Sequence, residues 1–403
     1  MTAISAARES ERLKKPLKIL LLDSKTKVGA KILMSGGTRC NVTNESVQPS
    51  DFEGGPKHFV KHVFEAFTPD ATMEFFKSIG VELILEPSGK YFPATHSAQT
   101  VLNALLDEVD RLKIKLVTGS PVTEIQKTGT IFALKSGSQP FEAKKVVLTT
   151  GGLSHPGTGS DGAGYLIAKK FGHSVIQTFP ALTPLLTEDK AWKSLSGIAL
   201  EVELSFYQKG RKQCSRRDSF LFTHFGFSGP AALDISRYFA ASEKQDQPEI
   251  KVNFLPGQNE ELFKKTWERI QTKSADKNIK NFLVQEFQVP VRFAETFLEK
   301  IGLAASVPLR MHSKEKLRLL TQSIFYYPLE ITGVYGYQKA EVTAGGVDLK
   351  EIKVQTMESK ICEGLYFAGE ILDVDGRIGG FNFQWAWSTG TIAGRGAARS
   401  LAS

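Results

Sequence analysis

Cysteine is scarce in this chain. Cys40, Cys214 and Cys362 stand far apart and form no CxxC pair. That pattern argues against a zinc site or a disulfide framework, and fits a reducing cytoplasm. Long apolar runs are missing too. None approaches the roughly 18 residues that span a bilayer, so no membrane segment is expected. Met1 is followed by small residues and charges rather than an apolar h-region, so no secretory signal is read. There is no internal repeat and no low-complexity linker. The most telling gap lies at the start: none of the 22 residues before Asp23 is glycine, although the chain holds 35 glycines.

What is present describes an ordinary globular protein. Of 403 residues, 41% are hydrophobic and 23% charged, enough for two or three domains with full cores. The net charge is +8. Lys and Arg are scattered, with short clusters at Lys14-Lys15 and Arg216-Arg217, and no basic run carries interleaved aromatics. A mildly basic protein with an anionic cofactor accounts for that balance, and nucleic acid is not expected as a partner.

Three continuous apolar runs predict strands buried on both faces of a parallel sheet. They are Leu17 to Leu22, closed by Asp23; Lys145 to Thr150, closed by Gly151-Gly152; and Gly364 to Ala368, closed by Gly369-Glu370. Each ends in small or acidic residues, where α/β sheets place their ligands. Helical spacing predicts helices over Asp70 to Ile79 and Ser97 to Leu112. Lys115 to Ile125 and Thr130 to Leu134 read as meander strands. Ala199 to Tyr207 alternates as a half-exposed strand, and Asn259 to Leu320 is helical. Segments 1–189 and 341–403 therefore read as one discontinuous α/β domain. Segment 190–257 reads as an inserted β-rich domain, with 321–340 a candidate to return to it, and 258–320 as a small helical domain.

Several positions suit ligand binding. Asp23 is an acid at a strand end, where such residues accept ribose hydroxyls; a plain turn aspartate is the competing reading. A glycine fingerprint belongs roughly 20 residues before that acid. Thr2 to Glu9 reads as the rest of the helix that would follow it, so the phosphate-binding turn is expected upstream of Met1. Next, Ser35-Gly36-Gly37-Thr38-Arg39-Cys40-Asn41 offers bare backbone, a guanidinium fork and an amide, which suits an anionic ligand. Thr150-Gly151-Gly152 and Gly369-Glu370 close two strands, Asp373 follows, and Gly379-Gly380 opens a helix expected to reach about Arg395, with Asn382 and Gln384 in its first turn. Val122 joins these as a cofactor contact. Cys40 invites a redox role, but a buried small hydrophobe is preferred. His155 and His224 are open between acid and turn cap, and no catalytic residue is assigned.

The run Ser35-Gly36-Gly37-Thr38-Arg39-Cys40-Asn41-Val42-Thr43-Asn44 resembles the signature of the bacterial HI0933-like (YhiN/BaiN-type) flavoproteins. Further matches follow at Thr149 to Pro156, Pro180 to Leu185, Phe222 to Pro230, Val342 to Val347, Thr356 to Lys360, and Phe367 to Gly376 continuing through Gly379 to Gln384. The resemblance covers nearly the whole chain, except for the opening strand and glycine loop. It implies a Rossmann-like FAD-binding domain with an inserted β-rich domain and a small helical domain. It also implies an FAD-dependent oxidoreductase, with NAD(P)H as donor and a small-molecule substrate. Two alternatives stay open: a flavin-dependent tRNA modifier or binder, and a truncated or degenerate flavoprotein unable to hold FAD.

Overall fold

A computed structural model describes residues 1–274 and 276–402. Chain contacts divide it into two units, 1–180 with 341–403, and 181–340.

The first unit is α/β. Its main elements are helix α1 (Thr2–Leu13), strand β1 (Leu20–Leu22), the short helix α2 (Ala30–Met34) and helix α3 (Pro69–Ser78). Strands β2 (Lys115–Val117), β3 (Val146–Leu148) and β4 (Leu365–Phe367) and the long helix α4 (Phe381–Ala402) follow. Strand β1 pairs in parallel with β2, Leu21 facing Leu116. Strand β3 pairs in parallel with β4, Val147 facing Tyr366. Beyond β4 run two short antiparallel strands, Glu358–Ser359 and Ile352–Lys353. A three-stranded meander of Glu124–Thr128, Ile131–Ser136 and Gln139–Ala143 forms a separate sheet and packs into the same core.

Two expectations change here. Lys115–Val117 is not a meander strand; it joins the parallel sheet, and the meander starts at Glu124. A short apolar run has the same local pattern in either role, and only a partner 95 residues earlier in the chain (115 − 20) decides. The run ending at Leu22 is also not buried on both faces. Leu20 is 38% exposed, and Leu21 and Leu22 are half-buried. Its sheet has only two strands, which leaves more of each side chain in solvent. By contrast β4 is buried throughout, between α4 and the core around Phe52, Tyr165 and Ile371.

Helix α4 runs past the expected Arg395 to Ala402 and packs along α1. Glycine in a helix interior normally weakens it. Here Gly394 permits a close approach: a Cβ there would run into the Thr2 carbonyl and sit 2.9 Å from the Ala6 nitrogen.

A buried polar knot stands behind β4. The His173 ring is edge-on to Phe367, with centroids 4.7 Å apart. Its Nδ1 lies 3.0 Å from Glu351 Oε2 and its Nε2 2.7 Å from Ser359 Oγ. Ser359 Oγ accepts the Ile361 and Cys362 amides, so its own proton goes to Nε2 and the ring donates through Nδ1 to Glu351. Burial pushes the His173 pKa down, against the attraction of Glu351. The native ring is neutral, so its contribution is complete above the unfolded value near ~6.5 and is lost as pH falls below it. The urea midpoint is expected to drop from pH 7.5 to 5.5, and His173→Gln should flatten that slope. An unchanged slope would remove His173 as the cause.

The second unit centres on a seven-stranded sheet. Ala199–Gln208 pairs antiparallel with both Arg211–Thr223 and Glu249–Asn253. Val202, Leu204 and Phe206 point inward, as the alternation predicts. Helices Glu260–Lys273, Ile279–Phe287, Val291–Lys300 and Lys314–Tyr326 start at Asn259, Asn278, Pro290 and Ser313. The Asn and Ser side chains accept first-turn amides, as such caps do. Phe263, Trp267, Phe282 and Phe293 share one core with the inward face of the sheet. The strand-rich and helical stretches are thus one unit. Among the described residues, no helix is long and apolar enough to cross a membrane.

Candidate functional site

Parallel strands β3 and β4 end side by side. Leu148 is level with Phe367, and the turns Thr150-Gly151-Gly152 and Gly369-Glu370 follow directly. The Gly369 turn is pinned from helix α4: its amide donates to Thr389 Oγ1 at 3.0 Å, and Trp385 Nε1 donates to its carbonyl at 3.2 Å. On its other side the Gly369 backbone is open, with only Ala386 Cβ within 4 Å of where a side chain would begin. Thr150 is exposed, and Gly152 is buried.

Glu370 is the centre of a closed triangle. Its Oε2 lies 2.5 Å from Lys31 Nζ. Its Oε1 accepts from Ser154 Oγ at 2.6 Å and from the Thr343 amide at 2.9 Å. Lys31 also donates to Ser154 Oγ at 2.6 Å. Thr343 Oγ1 in turn accepts the Leu153 and Ser154 amides. Four segments meet in this way: α2, the loop after β3, strand Val342–Val347 and the turn after β4. Charge-assisted bonds of this kind are the strong ones. Lys31, Ser154 and Thr343 were not among the residues singled out above. Ser154 and Thr343 stand in motif segments and Lys31 just before one, but nothing local marks Lys31 and Ser154 as partners of Glu370 across more than 100 residues.

The loop 35–41 is held in unusual backbone. Gly36, Gly37, Thr38 and Cys40 all have φ between +55° and +69°. Gly37 faces open space. The Cys40 amide returns to the Ser35 carbonyl at 3.1 Å. Arg39 is not the free fork expected: Nη1 donates to Glu86 at 2.6 Å, and the guanidinium lies 4.1 Å from the Phe92 ring centre. Cys40 is fully buried, and burial pushes its thiol up to about 12. A thiolate is the reactive form. Cys40 is therefore expected to resist alkylation in the native protein at pH 8 for at least about 100 times longer than a free thiol. Rapid Cys40 labelling in a folded sample, located by peptide mapping, would refute its burial.

Asn41 is buried, and its Oδ1 has no hydrogen-bond donor among the described residues. An orphan acceptor of this kind calls for a partner. It sits 2.8 Å from where a Gly380 side chain would begin, beside the Thr43 carbonyl, so only glycine fits at that helix start. Asn44 Nδ2 donates to the Gly379 carbonyl at 3.0 Å. Loop 41–44 thereby meets the N-terminus of α4.

The remaining expected residues bond or pack within the protein. Asn382 holds Gly376 through Oδ1 and Nδ2, at 2.8 and 2.9 Å. Gln384 is buried and bonds Thr43 and Ser388. The Asp373 carbonyl accepts the Gly55 amide. Val122 is half-buried at the rim of the core. Asp23 ends β1, with Oδ1 accepting the Lys25 amide at 2.8 Å.

The model of the family described as "HI0933-like protein Rossmann domain" matches residues 1–396. The 3-dehydro-bile acid delta(4,6)-reductase of Clostridium scindens is 31% identical over 400 residues, 99% of this chain and 96% of that protein. The ribosomal RNA dihydrouridine synthase of Escherichia coli is 34% identical over 372 residues, 92% of this chain and 90% of the relative. A structure of the E. coli quinol fumarate reductase subunit FrdA is alike in fold, with a TM-score of 0.51 at 14% identity, covering all of this chain and 69% of that one.

Proposed function

We propose that this chain, which belongs to the HI0933-like Rossmann-domain family, is an FAD-dependent reductase that saturates a carbon–carbon double bond conjugated to a carbonyl. A small-molecule substrate and NAD(P)H as electron donor complete the reading.

The supporting observation is that parallel strands β3 and β4 end side by side in glycine turns, with the Gly369 backbone left open. Ligands of open α/β sheets bind beyond those ends. The residues there fit FAD. Gly37 and Gly369 leave backbone bare, Asn41 Oδ1 lacks a donor, and the N-terminus of the 22-residue helix α4 favours negative charge. Asp23 would take ribose hydroxyls. Loop 35–41 and the turns at Thr150–Gly152 and Gly369–Glu370 would line the rest. When bound, FAD supplies hydride chemistry. The protein holds Glu370 through Lys31, Ser154 and Thr343 and orients the strand ends. The buried Cys40 thiol is not the proton source.

The reaction class rests on the names of the two relatives. One is a delta(4,6)-reductase of a 3-dehydro substrate; the other yields dihydrouridine. Both saturate a double bond next to a carbonyl. The test is anaerobic: load the protein with FAD, reduce it with NADPH or NADH, and follow flavin absorbance near about 450 nm. A conjugated 3-oxo steroid should re-oxidise the flavin faster than its saturated analogue. Equal rates would overturn the proposed reaction, and failure to retain FAD would overturn the cofactor. Re-oxidation by ribosomal RNA alone would transfer the reading to a nucleic-acid substrate, which the second relative favours.

A further inference from the structure

A cavity of about 180 Å³ opens between α1, α3 and α4 in the first unit. Arg8, Glu9, Arg12, Phe67, Phe75 and Arg395 line it. None of them belongs to the strand-end site.

Charge in this cavity is unbalanced. Glu9 already serves two guanidiniums, Arg12 and Arg399, each at 2.7 Å. The Arg8 charge goes to Glu108, at 2.7 Å, and Glu108 also holds Arg111 at 2.6 Å. Each carboxylate therefore leaves one positive charge over. Arg395 adds another. It is half-buried, and among the described residues it makes no direct hydrogen bond or ion pair, Glu9 acting on it only at longer range. Its guanidinium lies over the Phe67 ring, 5.9 Å from the centroid. Burial, with repulsion from Arg399 and Arg12, pulls its pKa below the ordinary value against the attraction of Glu9. Taking a charge out of water without a counter-ion is costly. A planar guanidinium fork is matched best by an oxyanion, which it can hold through two parallel bonds.

We propose that this three-helix cavity binds a small tetrahedral oxyanion, phosphate or sulfate, with Arg395 as its principal ligand. Arg8 and Arg12 supply the surrounding positive field. The site is separate from the strand-end turns, so it stands whether or not the flavin reading does. The oxyanion can come free in solution or as the phosphate of a nucleic-acid backbone. The partial enclosure of the cavity by Phe67 and Phe75 favours the free ion.

The experiment uses protein saturated with FAD, so that phosphate cannot act through a vacant dinucleotide site. Sodium phosphate is titrated against sodium chloride at matched ionic strength, and binding is read by calorimetry and by the shift in Tm. Wild type should show a saturable response to phosphate beyond that of chloride. Arg395→Met should weaken it roughly tenfold or more, and Arg395→Lys less. Arg395→Met should melt no lower than wild type without phosphate, because it removes an unpaired charge; this separates lost binding from lost folding. A phosphate response equal to that of chloride would overturn the proposal, as would an identical response in Arg395→Met. A short ribo-oligonucleotide that binds through Arg395 where inorganic phosphate does not would overturn it in favour of backbone phosphate.

Discussion

Glu370→Ala should cost the first unit about 2–3 kcal/mol and weaken FAD retention at least about tenfold. The carboxylate accepts from Lys31, Ser154 and the Thr343 amide at once. Removing it strands a lysine whose side chain is only 30% exposed, together with a buried hydroxyl and an amide. A fully buried pair would lose about 3–5 kcal/mol on losing one partner; the exposure of Lys31 lowers the figure. Urea unfolding of the flavin-free protein measures the first loss, and flavin retained after gel filtration the second. Lys31→Met should act in the same direction. The double variant should lose less than the sum of the two, because the single changes each leave an unpaired charge. Strict additivity, or a loss below about 0.5 kcal/mol for Glu370→Ala, would show that the triangle is incidental.

The second large effect concerns Gly394. Glycine to alanine in a helix normally stabilises by about 1 kcal/mol. Gly394→Ala should do the opposite, with a net loss of about 1–3 kcal/mol, because the new Cβ would press on the Thr2 carbonyl and the Ala6 amide across the α1–α4 contact. Gly394→Val should cost more, adding a β-branched side chain to the same clash. Thermal melts of the two variants decide. A higher Tm for Gly394→Ala would mean that the helices are not in contact there. Gly390, whose missing Cβ would lie 3.0 Å from Thr2 Oγ1, should be more forgiving, since a side-chain atom can move where backbone cannot.

These cases mark what could be read before folding and what could not. The strand-end turns were legible. Uninterrupted apolar residues followed by glycine and an acid describe a buried parallel strand ending in a tight turn, and that is a local pattern. The helix after Gly379-Gly380 was legible for the same reason, although its end was not. Nothing local shows that Gly390, Gly394 and Gly396 are tolerated because α1 and the Thr356 backbone press against them. Arg39, Asn382 and Gln384 carry the right chemistry for a ligand, and the fold bonds them to Glu86, Gly376 and Thr43. A side chain's type sets what it can bond, and only its neighbours in space set what it does bond.

The sequence by itself therefore determined the class of the fold, the order of its segments and the loops that gather at the strand ends, because these follow from periodicity and backbone freedom over a few residues. The tertiary structure alone decided that β1 pairs with β2 and that the strand-rich and helical stretches share one core. It alone joined Lys31, Ser154, Thr343 and Glu370. Each of these is a contact between residues far apart in the chain, and such contacts form only when burial of the whole core repays the entropy of bringing them together.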